Sequence, residues 1–192
     1  MITFSQLVNR RMGLSVHSSI RSSVLAVTFM AATALSGCAV IKSTSAVDVQ
    51  RGDSIALLPI INLTETPQAG ARAEVLVETL LQADGFTQLK HYAGTVNSDT
   101  LFQNIDRDAV EQATATARTQ KAKYGLTGSV QEWRYKVGVD GEPAVGISLK
   151  LINIETGEVV WTASGSRSGW SRDAVSGVAQ KLIGQLLSSL AK

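Results

Sequence analysis

The four residues Leu35-Ser36-Gly37-Cys38 constrain this chain more than any others, because they divide a segment to be discarded from a domain to be held at a membrane. Before them lie Arg10, Arg11 and Arg21 with no acidic residue, then an apolar run from Val24 to Leu35, the charged-then-apolar order of a secretory signal. Small residues then lead into Cys38, the only cysteine. A bacterial lipoprotein precursor needs that order. The thiol of Cys38 takes a diacylglycerol, the signal peptidase cuts before it, and the new amino terminus can be acylated in turn. Residues 1–37 are then a signal peptide. The competing readings are a plain signal with an incidental cysteine, or a short anchor, but about 12 apolar residues fall short of the ~20 that a spanning helix requires. Arg10-Arg11 invites twin-arginine export; the apolar run starts too far downstream, so ordinary secretion fits better.

Removing residues 1–37 takes away three arginines and no acid, leaving 15 basic against 16 acidic residues and a formal charge of −1 in place of +2. The basic isoelectric point of 8.8 therefore belongs to the precursor. A nearly neutral domain without a Lys/Arg run lacks the footprint of a nucleic-acid binder, and nucleic acid is set aside. With Cys38 taken by lipid, nothing remains for a disulfide or a cysteine metal site. His91 is the one mature histidine, so a metal cluster or a Ser/His/Asp triad must be built around it or not at all. No metal, cofactor or catalytic residue is assigned.

Residues 38–52 have no sustained period and read as a lipidated tether; Ala39–Arg51, fully extended, reach at most ~45 Å. Ala39 stands where an inner-membrane retention signal usually carries Asp, which favours the outer membrane. Residues 53–192 read as one α/β domain. Ser54–Ile61 is a near-continuous apolar run, as expected of a strand covered on both faces, with Pro59 placing it near an edge or at a bulge. Thr66-Pro67 reads as an N-cap and first helical residue, and Gly85 as the stop. Phe86–Leu89 reads as a second strand, parallel to the first. A second helix begins near Asp106 with a small buried face of Ala109, Val110, Ala113 and Ala117. From Tyr124 the period changes to two, predicting an antiparallel three-stranded meander with hairpins at Asp140-Gly141 and Thr156-Gly157. In its middle strand Val145, Ile147, Leu149 and Leu151 share one face. A last helix, capped by Ser171, presents an unbroken stripe from Val175 to Leu190. The expected fold is a mixed sheet of about five strands with three helices.

Three constellations invite chemistry. Asp140 and Glu142 are two carboxylates in one turn, as a glycan-cleaving enzyme would need across a scissile bond, but Asp-Gly is also ordinary turn chemistry. Glu132-Trp133-Arg134-Tyr135-Lys136 offers aromatics for stacking on sugar, yet on a strand Trp133 and Tyr135 share one face and read equally well as core or subunit contact. Gly165-Ser166-Arg167-Ser168-Gly169 lacks the lysine and spacing of a phosphate loop.

The order strand, helix, strand, helix, meander, helix behind a lipobox resembles the periplasmic domain of the CsgG secretion lipoproteins. Residues 55–63 (IALLPIINL), 126–136 (LTGSVQEWRYK) and 161–170 (WTASGSRSGW) resemble more narrowly the PelC family, outer-membrane lipoproteins of Pel exopolysaccharide export. Unlike CsgG, the chain has no inserted pair of alternating segments from which to build a transmembrane barrel. The PelC resemblance implies a homo-oligomeric ring at the periplasmic face of the outer membrane, anchored in its lipid, guiding a cationic amino-sugar polymer to a separate outer-membrane barrel protein. Asp140, Glu142, Glu155 and Glu158 are the expected polymer-path residues. Two other classes stay open: an activator of a peptidoglycan synthase, and a periplasmic glycan hydrolase.

Trp170 carries two readings. As the residue before the Ser171 cap it can pack on Val175 as a hydrophobic staple. Alternatively it displays its indole towards the bilayer, where a ring would repeat it as an aromatic belt.

Overall fold

The computed structural model describes residues 39–44, 49–92, 105–138 and 141–190. Its sheet is built around β2 (Ile55–Asn62), the apolar run, which has a parallel partner on each side: β3 (Leu89–His91) and β4 (Tyr124–Tyr135). The meander continues antiparallel from β4 through β5 (Pro143–Asn153) to β6 (Val159–Ser168). A sixth strand, β1 (Ala39–Ser43), lies antiparallel on β6, giving the order β1-β6-β5-β4-β2-β3. The three expected helices are α1 (Ala69–Ala83), α2 (Ile105–Thr119) and α3 (Val175–Leu187).

The two crossovers leave β2 in opposite directions along the sheet, to β3 and then back past β2 to β4, so right-handed connections put their helices on opposite faces. The contacts agree. Ala73, Val77 and Leu81 of α1 and Val178, Leu182, Ile183 and Leu186 of α3 join the main core with Val145, Ile147, Leu149 and Leu151 of β5. On the other face Ala113 and Ala117 of α2 cover Ala56, Leu58, Tyr92 and Ile154. Their short side chains let α2 lie close but bury little area per turn. Because α2 sits over β2, the corresponding face of β5 and β6 is left without a helix.

Pro59 lies in a central strand, and the bulge reading is the one realised: Leu58 and Pro59 together face the single residue Thr127 where the β2–β4 register shifts. The buried Thr127 hydroxyl donates to Pro59 O at 2.6 Å, and Ile60 N–H donates to Glu74 Oε1 of α1 at 2.7 Å. The polar groups released by the bulge are thus satisfied from both faces. Gly70 fits the same contact, since a Cβ there would meet Ile60 O at 2.1 Å.

Four expectations need correction. Ala39–Ser43, placed in a tether, is a paired strand, so the sheet has six strands and not about five. The second strand starts at Leu89; Phe86 is a buried turn residue whose N–H caps α1 by donating to Leu81 O. Helix α1 begins at Ala69 behind a left-handed Gln68, not at Pro67, because the Thr66 hydroxyl donates to Trp133 O. Helix α3 begins at Val175 with Ala174 as N-cap, not behind Ser171.

Alanine at Gly177 or Gly184 of α3, where nothing lies within 4 Å of a new Cβ, should stabilise the domain by up to ~1 kcal/mol each through helix propensity. Gly70→Ala should instead destabilise it by about 1–3 kcal/mol through overpacking against Ile60. Urea denaturation of the three variants checks the opposite signs.

Candidate functional site at the two ends of the meander

A meander turns alternately at its two ends, and this divides the residues singled out in the sequence. At one end β4 finishes, β5 begins and β6 finishes, with Tyr135 opposite Pro143 and Ala144 opposite Ser168. Glu142 and Trp170 are both here, since Gly169 N–H donates to Pro143 O at 2.9 Å. Glu155 and Glu158 are at the other end, in the turn from β5 to β6. Eleven residues of β5 at ~3.3 Å each place the two ends roughly 35 Å apart. Of the acids expected along one path, Glu142 is thus separated from Glu155 and Glu158. Asp140 and Cys38 lie outside the described residues.

The β5–β6 turn is tightly held. Asn153 Oδ1 accepts from Glu155 N–H at 3.0 Å and Thr156 N–H at 3.1 Å, Thr156 Oγ1 accepts from Glu158 N–H at 3.2 Å, and Gly157 adopts φ +75°. The turn therefore presents two exposed carboxylates from a fixed backbone, and neither makes an ion pair among the described residues. Glu142 differs: Lys136 Nζ stands 3.7 Å from its carboxylate. A lysine-compensated carboxylate is a weaker attractor for a passing cation than an unpaired one.

Trp170 is 59% exposed. With α3 beginning at Val175, Trp170 is not at the position a staple requires. It instead closes a turn: Asp173 Oδ2 accepts from Trp170 N–H at 3.0 Å, and Asp173 N–H donates to Trp170 O at 2.8 Å. Trp133, by contrast, is buried in the main core, so it offers no stacking platform for sugar.

Between the two ends, the helix-free face of the meander is floored by small polar side chains. Ser129, Ser148, Ser164 and Lys42 stand in register across β4, β5, β6 and β1. Gln131 Nε2 donates to the first two hydroxyls at 2.8 and 2.9 Å. Two adjoining depressions of about 950 and 570 Å³ share Lys42, Ser148 and Ser164. This surface is flat, wide and hydroxylic, suited to a second macromolecule more than to an enclosed small substrate.

His91 pairs with Glu74 at 3.1 Å on the β3 edge, where Glu74 is already committed to the β2 bulge. Among the described residues no group of three His, Cys, Asp or Glu could hold a metal, and no helix is long and apolar enough to cross a membrane. One ion pair ties the start of β2 to that of β4. Burial opposes ionisation of Asp53, but hydrogen bonds from Lys123 Nζ at 2.8 Å and Gln50 N–H at 2.9 Å prevail and hold its carboxyl below the usual range.

This fold, with its uncovered meander face, belongs to a known class: the family model described as Peptidoglycan-synthase activator LpoB matches residues 30–166. Two structures of PelC from Paraburkholderia phytofirmans, a point variant in space group C2 and a second crystal form in P6, are both dodecamers. Each is 40% identical and covers 81% of this chain and 100% of its own, with TM-scores of 0.70 and 0.67. The chain belongs to the family of that model, and by 40% identity over 81% of its length to the PelC proteins as well. A comparison with curated proteins gives no match.

The lowered Asp53 pKa makes a stability contribution that is full above the unfolded value of about 3.9 and is lost as pH falls through the folded value. Lys123→Ala should raise that folded pKa towards the ordinary range and flatten the pH dependence of the melting temperature in this window. Carboxyl NMR titration alongside thermal melts checks both.

Proposed function

We propose that this protein is a lipoprotein of the periplasmic face of the outer membrane which assembles into a ring and guides a Pel-like, amino-sugar-containing exopolysaccharide to an outer-membrane export barrel. The observation that carries this reading is the 40% identity, over their whole length, to PelC chains that form dodecamers. In this reading the protein performs no bond chemistry. Its work is position: Cys38 anchors the chain in lipid, and the ring supplies a lumen that a single domain lacks.

A ring needs two different surfaces that close by rotation. The helix-free face of β4, β5 and β6 supplies one, being uncovered by any described helix and floored by serine hydroxyls. Trp170 and the acids then take separate posts. The exposed indole stands at the bilayer end, where a ring repeats it into an aromatic belt. Glu155 and Glu158 stand roughly 35 Å away, at the mouth a cationic polymer reaches first. Glu142 belongs to the bilayer end and, with Asp140, is assigned to the exit.

A second reading, an activator of a peptidoglycan synthase, is favoured by the family model that matches residues 30–166. It calls for binding to a synthase and stimulation of its activity, and it has no need of a ring.

Sedimentation of the lipidated chain in detergent should give a closed oligomer, and Ser164→Trp on the open face should reduce assembly while leaving the melting temperature nearly unchanged. A monomer at all concentrations rejects the ring. Glu155→Gln with Glu158→Gln should lower polymer export several-fold with the ring intact, because at an exposed site the pair acts through its field on the polymer. Cys38→Ala should leave the envelope fraction or remain as uncut precursor, since two or three acyl chains are what make anchoring stable.

A further inference from the structure

The end of the sheet that holds Trp170 also gathers other exposed apolar side chains. Val137, in the β4–β5 hairpin, is 99% exposed; Val40 of β1 is 66% exposed and Tyr135 of β4 is 53% exposed. Single apolar residues on a surface are unremarkable, but Val137, Tyr135 and Trp170 gather at one end of the sheet, with Val40 at that end on the helix-free face. Its frame is fixed. The Tyr135 hydroxyl accepts from Val175 N–H at 3.3 Å. Lys136 Nζ donates to Ser168 Oγ at 2.8 Å, and Lys136 N–H donates to Glu142 O at 2.7 Å, so the root of the hairpin is tied to β6. Glu132 pairs with Arg134 at 3.0 Å and Glu142 with Lys136 at 3.7 Å, and Asp173 accepts from Trp170 N–H at 3.0 Å.

Strand β1 brings the start of the mature chain to the same place. Ala39 is in register with Arg167, one position before Ser168 and three before Trp170. Cys38 is therefore a single peptide step, ~3.8 Å between Cα atoms, from a residue paired into the sheet. The slack of up to ~45 Å allowed by an unstructured tether is absent while β1 is docked. Three strand spacings of ~4.8 Å separate β1 from β4, so Ala39 and the hairpin root lie roughly 15 Å apart at one end.

We propose that the β4–β5 hairpin, through Val137, is a second lipid-contact element that enters the headgroup and acyl boundary of a phospholipid surface, and that docking of β1 beside the acyl chains sets it there. The proposal rests on lipid attachment at Cys38 and on the bilayer-facing assignment of Trp170. It adds a separate contact and a cause for its orientation. An exposed valine on a hairpin gains nothing from water and is suited to the apolar side of that boundary.

The test places a tryptophan at Val137 in the full, lipidated chain carrying Trp170→Phe, reconstituted into phosphatidylethanolamine/phosphatidylglycerol vesicles with brominated acyl chains. A control carries Val159→Trp, an exposed position at the start of β6, at the opposite end. Quenching should be at least about twofold stronger at 137 than at 159, because only the first lies within the depth that interfacial side chains reach. Adding Lys42→Pro, which removes a donor from the middle of β1, should remove most of that excess while the chain still floats with the vesicles. Equal quenching at the two positions, in a chain shown by mass to carry lipid on Cys38, overturns the hairpin contact and leaves the anchor standing. A mature chain without that lipid overturns the anchor and the proposal together. Undiminished quenching with Lys42→Pro overturns the part assigned to β1.

Discussion

The bulge at Pro59 is the constraint on which the rest of the fold turns. A proline in a central strand removes a ladder donor between two parallel neighbours, and the structure accommodates it by placing Leu58 and Pro59 opposite Thr127. Each released group then finds a partner on a different layer. Pro59 O accepts from the Thr127 hydroxyl, and Ile60 N–H donates to Glu74 of α1. Glu74 also meets His91 on the far edge, so one carboxylate joins helix, central strand and edge strand. Leaving any of these groups unpaired would cost about 1–3 kcal/mol, comparable with the cost of a core cavity.

From β2 the asymmetry of the domain follows. The chain steps to β3 and returns past β2 to β4, which puts α1 and α2 on opposite faces of the same strand. The apolar stripe of α3 then covers the meander only on the side of α1. Among the described residues, the helix that follows β6 is already used on the first side, and none covers the other. The bare hydroxylic face is thus a consequence of topology. Its small, flat floor can accept a neighbouring subunit without first displacing any element.

Much of this was legible because burial leaves a periodic trace. The alternation of Val145, Ile147, Leu149 and Leu151 and the stripe from Val175 to Leu190 each report a buried face, and each proved to be one. Strand β1 escaped because all five of its residues are exposed, so pairing through backbone alone leaves no hydrophobic period. The helix starts were misplaced for another reason. Thr66 is a good cap by type, but its hydroxyl is taken by Trp133 O, 67 residues away, and Ser171 sits in a turn closed by Asp173. A distant partner displaced the first cap and a competing local turn the second, which spacing alone cannot reveal. The separation of Glu142 from Glu155 and Glu158 was within reach of the sequence, since consecutive hairpins of a meander must lie at opposite ends.

That separation changes how charge can act on a polymer. Four acids in one constriction would hold a cationic chain and slow its exit, because attraction concentrated at one point must be undone there. Acids at two levels roughly 35 Å apart produce a weaker, extended field, strongest where Glu155 and Glu158 are unpaired and lower where Lys136 offsets Glu142. At physiological salt the two levels lie several Debye lengths of ~8 Å apart and act independently. In the proposed export role, a polymer would be gathered at the mouth away from the anchor and meet less retention towards the bilayer. The same strand that separates the acids, β5, also separates both carboxylates of the distal turn from the apolar end. A single eleven-residue strand therefore gives the domain its direction: unpaired carboxylates at one end, exposed apolar side chains at the other.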